Sequence, residues 1–173
     1  MDREALRSLQ QPLKDRYRDE PEAAVVTLRA EGALGEGVTC SVQTGRALVE
    51  AGLHEASGGT GASVCSGDML LQALVACAGV TLNSVATSME IPVSRGTVVA
   101  EGDLDFRGTM AVSRDAPVGF TAIRLSFHVE SEAPPEKLER LLELTQRYCV
   151  VYQTLRNPPP TRATLSSSEE RFG

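Results

Sequence analysis

"SGDMLLQALVACAGVTL", residues 66–82, is the most apolar run of the chain, and its reading decides the fold. Leu70, Leu71, Leu74, Val75, Val80, Leu82 and Val85 occupy most of a helix circumference instead of one stripe, so protein is expected on nearly all sides of it. Ser66 is placed to cap this helix, Asp68 in the first turn suits the positive end of its dipole, and Pro92 stops it at about Glu90. One small sheet covers only one side of a helix. The enclosure therefore calls for a second subunit and predicts a homodimer. Cys77 stands in the middle of the run, where a cysteine is either a small core residue or a working thiol, and residue type alone leaves both readings open.

Outward from the helix, both flanks read as sheet. On the N-terminal side, residues 24–51, "AVVTLRAEGALGEGVTCSVQTGRALVEA", alternate β-branched runs with the turn signals "EGALGEG" and "QTG", which predicts three antiparallel strands with Cys40 in the second. A glycine-rich loop carrying His54 and Cys65 follows. On the C-terminal side, "TVVAEGDLDFRG" and "GFTAIRLSFHVES" read as a hairpin with a long link, with Phe120, Ala122, Leu125, Phe127 and Val129 alternating along the second strand. "APPEKLERLLELTQRY" opens with proline and places Leu138, Leu141, Leu142 and Leu144 on an inner helix face. "CVVYQTLRNPPP" reads as a further short helix, and "TRATLSS" as a last strand. The order gives an α+β fold in which antiparallel sheets wrap a central buried helix. The expected domain covers residues 23–167, between an amphipathic arm at 1–22 and a polar tail at 168–173. In the arm, Leu6, Leu9, Leu13 and Tyr17 keep helical spacing, and Pro12 is expected to bend or split the helix.

Composition narrows the function. A net charge of -6, a pI near 5.0 and the lack of any Lys/Arg cluster argue against nucleic acid or an anionic membrane as partner. No stretch reaches the roughly 20 consecutive apolar residues of a membrane span, and the charged start "MDREALRSLQ" is unlike a signal peptide, so a cytoplasmic protein is expected. In that compartment Cys40, Cys65, Cys77 and Cys149 are expected to be core residues, ligands or redox groups, not a disulfide scaffold. "GGTGASVCSGD" lacks the Lys-Ser/Thr of a phosphate loop, and Asp68 would repel phosphate. No CxxC or paired histidine spacing points to zinc, and no GxSxG points to a serine hydrolase. The thiols remain. Cys77 lies nine residues past Asp68, about 13 Å along a helix, so the N-terminus of its own helix cannot activate it and a separate cation is expected. Cys149 sits where one helix ends and another begins, so the new helix's amides are expected to favour its thiolate.

"GDMLLQALVACAGVTL" and "LTQRYCVVYQTL", with "GGTG" ahead of the first, resemble the OsmC/Ohr family of thiol-dependent peroxidases that reduce organic hydroperoxides. The resemblance covers roughly Val25 to Leu165 and implies an intertwined α+β homodimer. It implies Cys77 as the peroxide-attacking thiol and Cys149 as the resolving thiol, with no cofactor and an external dithiol or lipoyl-type reductant. The family holds its attacking cysteine ionised with an arginine that pairs with a glutamate. At the glutamate's place this chain has Ser66-Gly67, with Asp68 one position later; Arg46 is the first candidate for the arginine and Arg29 the second. The alternative is a redox-sensing or small-molecule-binding dimer of the same fold that turns over no peroxide.

Overall fold

A computed structural model describes residues 2–19, 32–34, 40–44 and 47–165. The first part is a helix, α1 (Arg3–Asp19), and a meander of β1 (Gly32–Leu34), β2 (Cys40–Thr44) and β3 (Ala47–Gly52). The two β-pairs of the meander are antiparallel and Cys40 opens the second strand, but β1 lies within residues 31–37, which sequence reads as a turn, and the strand expected ahead of that turn lies outside the described residues. The chain then makes a single 3-10 turn at Glu55–Ser57 and returns as β4 (Val64–Cys65), which lies parallel to β3 and completes a four-stranded sheet. Cys65 thus stands on a short strand, not in the loop. Helix α1 continues past Pro12, where a break or bend was expected. It packs on α2 of its own chain, and Arg3 pairs with Glu90 at 2.7 Å.

Helix α2 (Ser66–Ser88) is the helix that sequence places at the centre. Its N-cap is Cys65, one residue ahead of the expected Ser66, and no side chain caps it. The helix ends two residues before the expected Glu90 in a compact stop. Glu90 adopts φ 55°, and its N–H donates to the Thr87 carbonyl while that of Ile91 reaches back to the Ala86 carbonyl at 2.9 Å. This is a Schellman motif, and the accompanying apolar contact is made by Ile91 and Ala86 in the core.

The fully buried positions of α2 are Leu74, Ala78, Leu82 and Ala86, a single stripe at four-residue spacing. That stripe meets α4, α5 and β5. The expectation of enclosure on nearly all sides is thus not met within one chain: Val80 is 72% exposed and Leu70 38%. By length and mean hydropathy α2 is also long and apolar enough to cross a membrane, although charged and polar residues interrupt its apolar run. One face of it nevertheless packs into the protein's own core.

β5 (Arg95–Leu104) and β6 (Phe120–Glu130) form the antiparallel hairpin that sequence predicts. The register slips between Asp103 and Leu104, so that Ala122 is exposed while Phe120 and Ile123 turn inward. From Ile123 onward the alternation is regular. The Phe120 ring lies over Gly102, where an added Cβ would come within 2.4 Å of Cε1, so only glycine fits. A short helix, α3 (Phe106–Thr109), occupies the link and is capped by the Asp105 side chain.

Helix α4 (Pro135–Tyr148) begins on prolines, as expected, because the first turn has no use for their missing N–H groups. Its inner face is Leu138, Leu141 and Thr145, with Leu144 half-buried; Leu142, assigned to that face from sequence, is 39% exposed. α5 (Val150–Arg156) follows after one residue and ends ahead of three prolines. Residues 161–165, read as the start of a last strand, have no regular structure here, since Thr161–Leu165 lie exposed beyond the sheet. Leu82, Ala86, Ile91 and Leu141 form the core, against which Phe127, Val129 and Leu138 pack.

Candidate active site

Cys77 lies on α2 just ahead of the fully buried Ala78, in the part of the helix that packs on α4 and α5. Cys149 is the one residue between those two helices. Its backbone is extended (φ -73°, ψ 109°), so it ends α4 and caps α5 at once. Its N–H donates to the Thr145 carbonyl at 3.0 Å, and its carbonyl accepts from Gln153 N–H at 2.9 Å. Gln153 Nε2 donates to the Gln146 carbonyl at 2.8 Å and braces the corner. The corner carries the Cys149 thiol, only 1% exposed, to the half-buried Cys77 thiol.

The surroundings treat the two sulfurs oppositely. Partial burial opposes ionisation of Cys77, but it is outweighed by the Val151 N–H, the Cys149 thiol, the Val150 N–H and the Thr81 hydroxyl, which together hold the Cys77 pKa below the ordinary thiol range. Burial pushes Cys149 up. The Tyr152 and Val151 amides oppose that rise, but a neighbouring Cys77 thiolate adds to it, because a second negative charge is unfavourable there. Of the two thiols, Cys77 is thus the more readily ionised and Cys149 the less.

The amides at the start of α5 act on both thiols: those of Tyr152 and Val151 favour a thiolate at Cys149, as expected, but burial and the neighbouring Cys77 outweigh them, while those of Val151 and Val150 lower the Cys77 pKa. The action on Cys77 was not readable in one dimension, because Val150 and Val151 meet Cys77 only when α5 packs across α2. Thr81 had a local signal: it is one helical turn past Cys77, where a hydroxyl also reaches the Cys77 carbonyl, at 2.8 Å.

The other proposed site residues stand apart. Asp68 is exposed in the first turn of α2, beside His54 and Asp103 at a 360 Å³ cavity, and is not among the groups acting on Cys77. Arg46 and Arg29 lie outside the described residues. Arg124 holds Asp103 with both guanidinium nitrogens, one at 2.8 Å, but on the exposed face of the β5–β6 hairpin. Cys65 lines a 270 Å³ cavity with Phe106, Phe120 and His54, whose ring stacks on Phe106 at 5.0 Å. Neither Cys77 nor Cys149 lines that cavity. A different one, of 460 Å³, lies against α5 and β6 and is bounded by Leu74, Ile123, Leu125, Tyr152, Leu155 and Arg156.

A mixed α+β fold with a two-thiol corner on a central apolar helix defines a class of proteins, and comparison identifies it. The family described as OsmC-like protein matches residues 59–164, well over half of the chain, and the chain belongs to that family. Comparison with curated proteins gave no match. Among solved structures, an OsmC-like protein from Mycoplasma pneumoniae is similar at a TM-score of 0.64 and 15% identity, over 77% of this chain and 89% of that one. An organic hydroperoxide resistance protein OsmC from Legionella pneumophila is similar at 0.60 and 17%, over 78% and 92%. An organic hydroperoxide resistance protein from Elizabethkingia anophelis follows at 0.58 and 18%, over 78% and 91%. At these identities the structures show that the OsmC fold is shared.

Proposed function

We propose that this chain is a thiol-dependent peroxidase that reduces organic hydroperoxides. The observation that carries the reading is the Cys77–Cys149 pair, one sulfur favoured as thiolate and the other as thiol. The Cys77 thiolate attacks the terminal oxygen of the O–O bond, an alcohol leaves, and Cys77 becomes a sulfenic acid. Cys149 then attacks the Cys77 sulfur, a disulfide forms and water departs. An external dithiol, of lipoyl type, reduces the disulfide and restores both thiols. The apolar neighbours of Cys77 on α2, Leu74 and Ala78 among them, support an organic substrate in preference to hydrogen peroxide.

The working form is a cytoplasmic homodimer. Val80 and Leu70, exposed on the long apolar helix of a single chain, supply apolar surface for a second copy. The decisive experiment adds cumene hydroperoxide to reduced protein and maps thiols by mass spectrometry, with Cys77→Ser and Cys149→Ser as controls. A Cys77–Cys149 disulfide is expected in the wild type and a trapped Cys77 sulfenic acid in Cys149→Ser. Absence of both species would falsify the peroxidase reading.

A redox-sensing role is the second reading. Gly67 at the place of the family glutamate favours it. The same protein under excess dithiol and hydroperoxide separates the two: a peroxidase consumes many equivalents, a sensor stops at one.

A further inference from the structure

The two C-terminal helices close on β6 only in part, and a trough is left between them. One part is the 460 Å³ cavity against α5 and the other a 480 Å³ cavity against α4, with Leu125 and Gln146 lining both. The floor follows from the alternation of β6, which turns Ile123, Leu125, Phe127 and Val129 to one face over about 20 Å. Leu74 and Leu155 wall the first part, and Leu138, Leu141 and Leu142 the second. A concave, mostly apolar site with a few polar groups suits a small molecule.

The charged groups are distributed unevenly along it. Arg156 lies at the α5 end with Tyr152, one helical turn before it, and its guanidinium stands over the Tyr152 ring at 5.8 Å. Stacking uses the guanidinium face and leaves the N–H groups, which lie in its plane, for an acceptor. Among the described residues, no acid lines this part. The α4 part is bordered by one, Glu139, seven residues before Gln146 and so about 10 Å from it along the helix. A cation at one end, a carboxylate at the other and leucines between them select a molecule with one anionic head and an apolar chain. They also fix its direction, head toward Arg156 and chain toward Leu138 and Leu142.

We propose that this trough binds a long-chain monocarboxylate, with Arg156 as the residue that holds the head. A planar guanidinium offers a carboxylate two parallel N–H bonds, which an alcohol head cannot match. Neither Cys77 nor Cys149 lines either part, so the molecule is held there without being oxidised, and the inference is independent of the peroxidase reading.

The test is titration calorimetry of the reduced full-length protein with dodecanoate, below its micellar concentration, beside dodecanol and dodecyltrimethylammonium as probes with the same chain. Dodecanoate is expected to bind most tightly, at one site per chain, and to raise the melting temperature. Arg156→Gln is expected to weaken dodecanoate by about ten-fold or more and bring it level with dodecanol. Leu142→Glu, at a position 39% exposed, puts a carboxylate beside the chain and is expected to weaken dodecanoate and dodecanol alike. Both positions are exposed, and an unchanged circular dichroism spectrum checks that the fold is kept. Cys77 is expected to react with iodoacetamide at the same rate with the trough filled. Equal affinity of wild type and Arg156→Gln for dodecanoate overturns the proposal, and so does protection of Cys77, which would put the ligand on the thiols. A wild type that takes up no dodecanoate overturns it as well, and dissociation of a dimer by Leu142→Glu would then assign the trough to a second copy of the chain. A protein without peroxide turnover that still binds dodecanoate through Arg156 upholds it.

Discussion

Val150 is an exposed residue of ordinary type, yet its N–H is one of the dipoles that lower the Cys77 pKa. Its place at the first position of α5, after an extended residue, is one that proline tolerates. Val150→Pro is therefore expected to keep the fold, remove one amide from Cys77 and raise the Cys77 pKa. Alkylation of Cys77 by iodoacetamide, followed against pH, checks this: the wild-type midpoint falls below the ordinary thiol range, and the variant's midpoint moves up toward it. Gly102 is constrained by space. Gly102→Ala forces the Phe120 ring away and is expected to cost about 1–3 kcal/mol, read as a lowered denaturant midpoint with an unchanged slope.

At the scale of elements, α2 is held by one buried stripe and one unusual stop. Leu74→Ala empties a position that is 1% exposed, next to the thiol corner, and is expected to destabilise by about 2–5 kcal/mol in chemical denaturation. Glu90 gives the opposite case. Its left-handed backbone costs roughly 1–2 kcal/mol for a residue with a Cβ. Glu90→Gly is expected to raise the melting temperature when compared in an Arg3→Ala background, which removes the surface ion pair from the comparison. A fall in melting temperature in that background would show that the Schellman turn is not strained.

For the whole molecule, the open face of α2 makes the strongest demand. Val80 is 72% exposed in a single chain, so a charge there costs the isolated fold little, whereas in a dimer it would be buried unpaired. Val80→Asp is expected to leave the circular dichroism spectrum unchanged while light scattering shows monomers in place of dimers, and hydroperoxide turnover to fall with dimer content. A variant that remains dimeric would place the subunit contact elsewhere.

Much of this was legible in one dimension, because it depends on neighbours along the chain. The 66–82 run determined a long apolar helix, two-residue alternation determined the β5–β6 hairpin, and the prolines at 134–135 and 158–160 bounded the C-terminal helices. The text around Cys77 and Cys149 carried the family. The single buried stripe of α2, the exposure of Leu142 and the register slip at Asp103 were not legible, since each depends on which surface another element covers. The electrostatics of the thiols belonged entirely to the tertiary structure. Residues 72 positions apart act on one another only because α5 packs against α2, and amide dipoles act over a few ångströms of space regardless of distance along the chain.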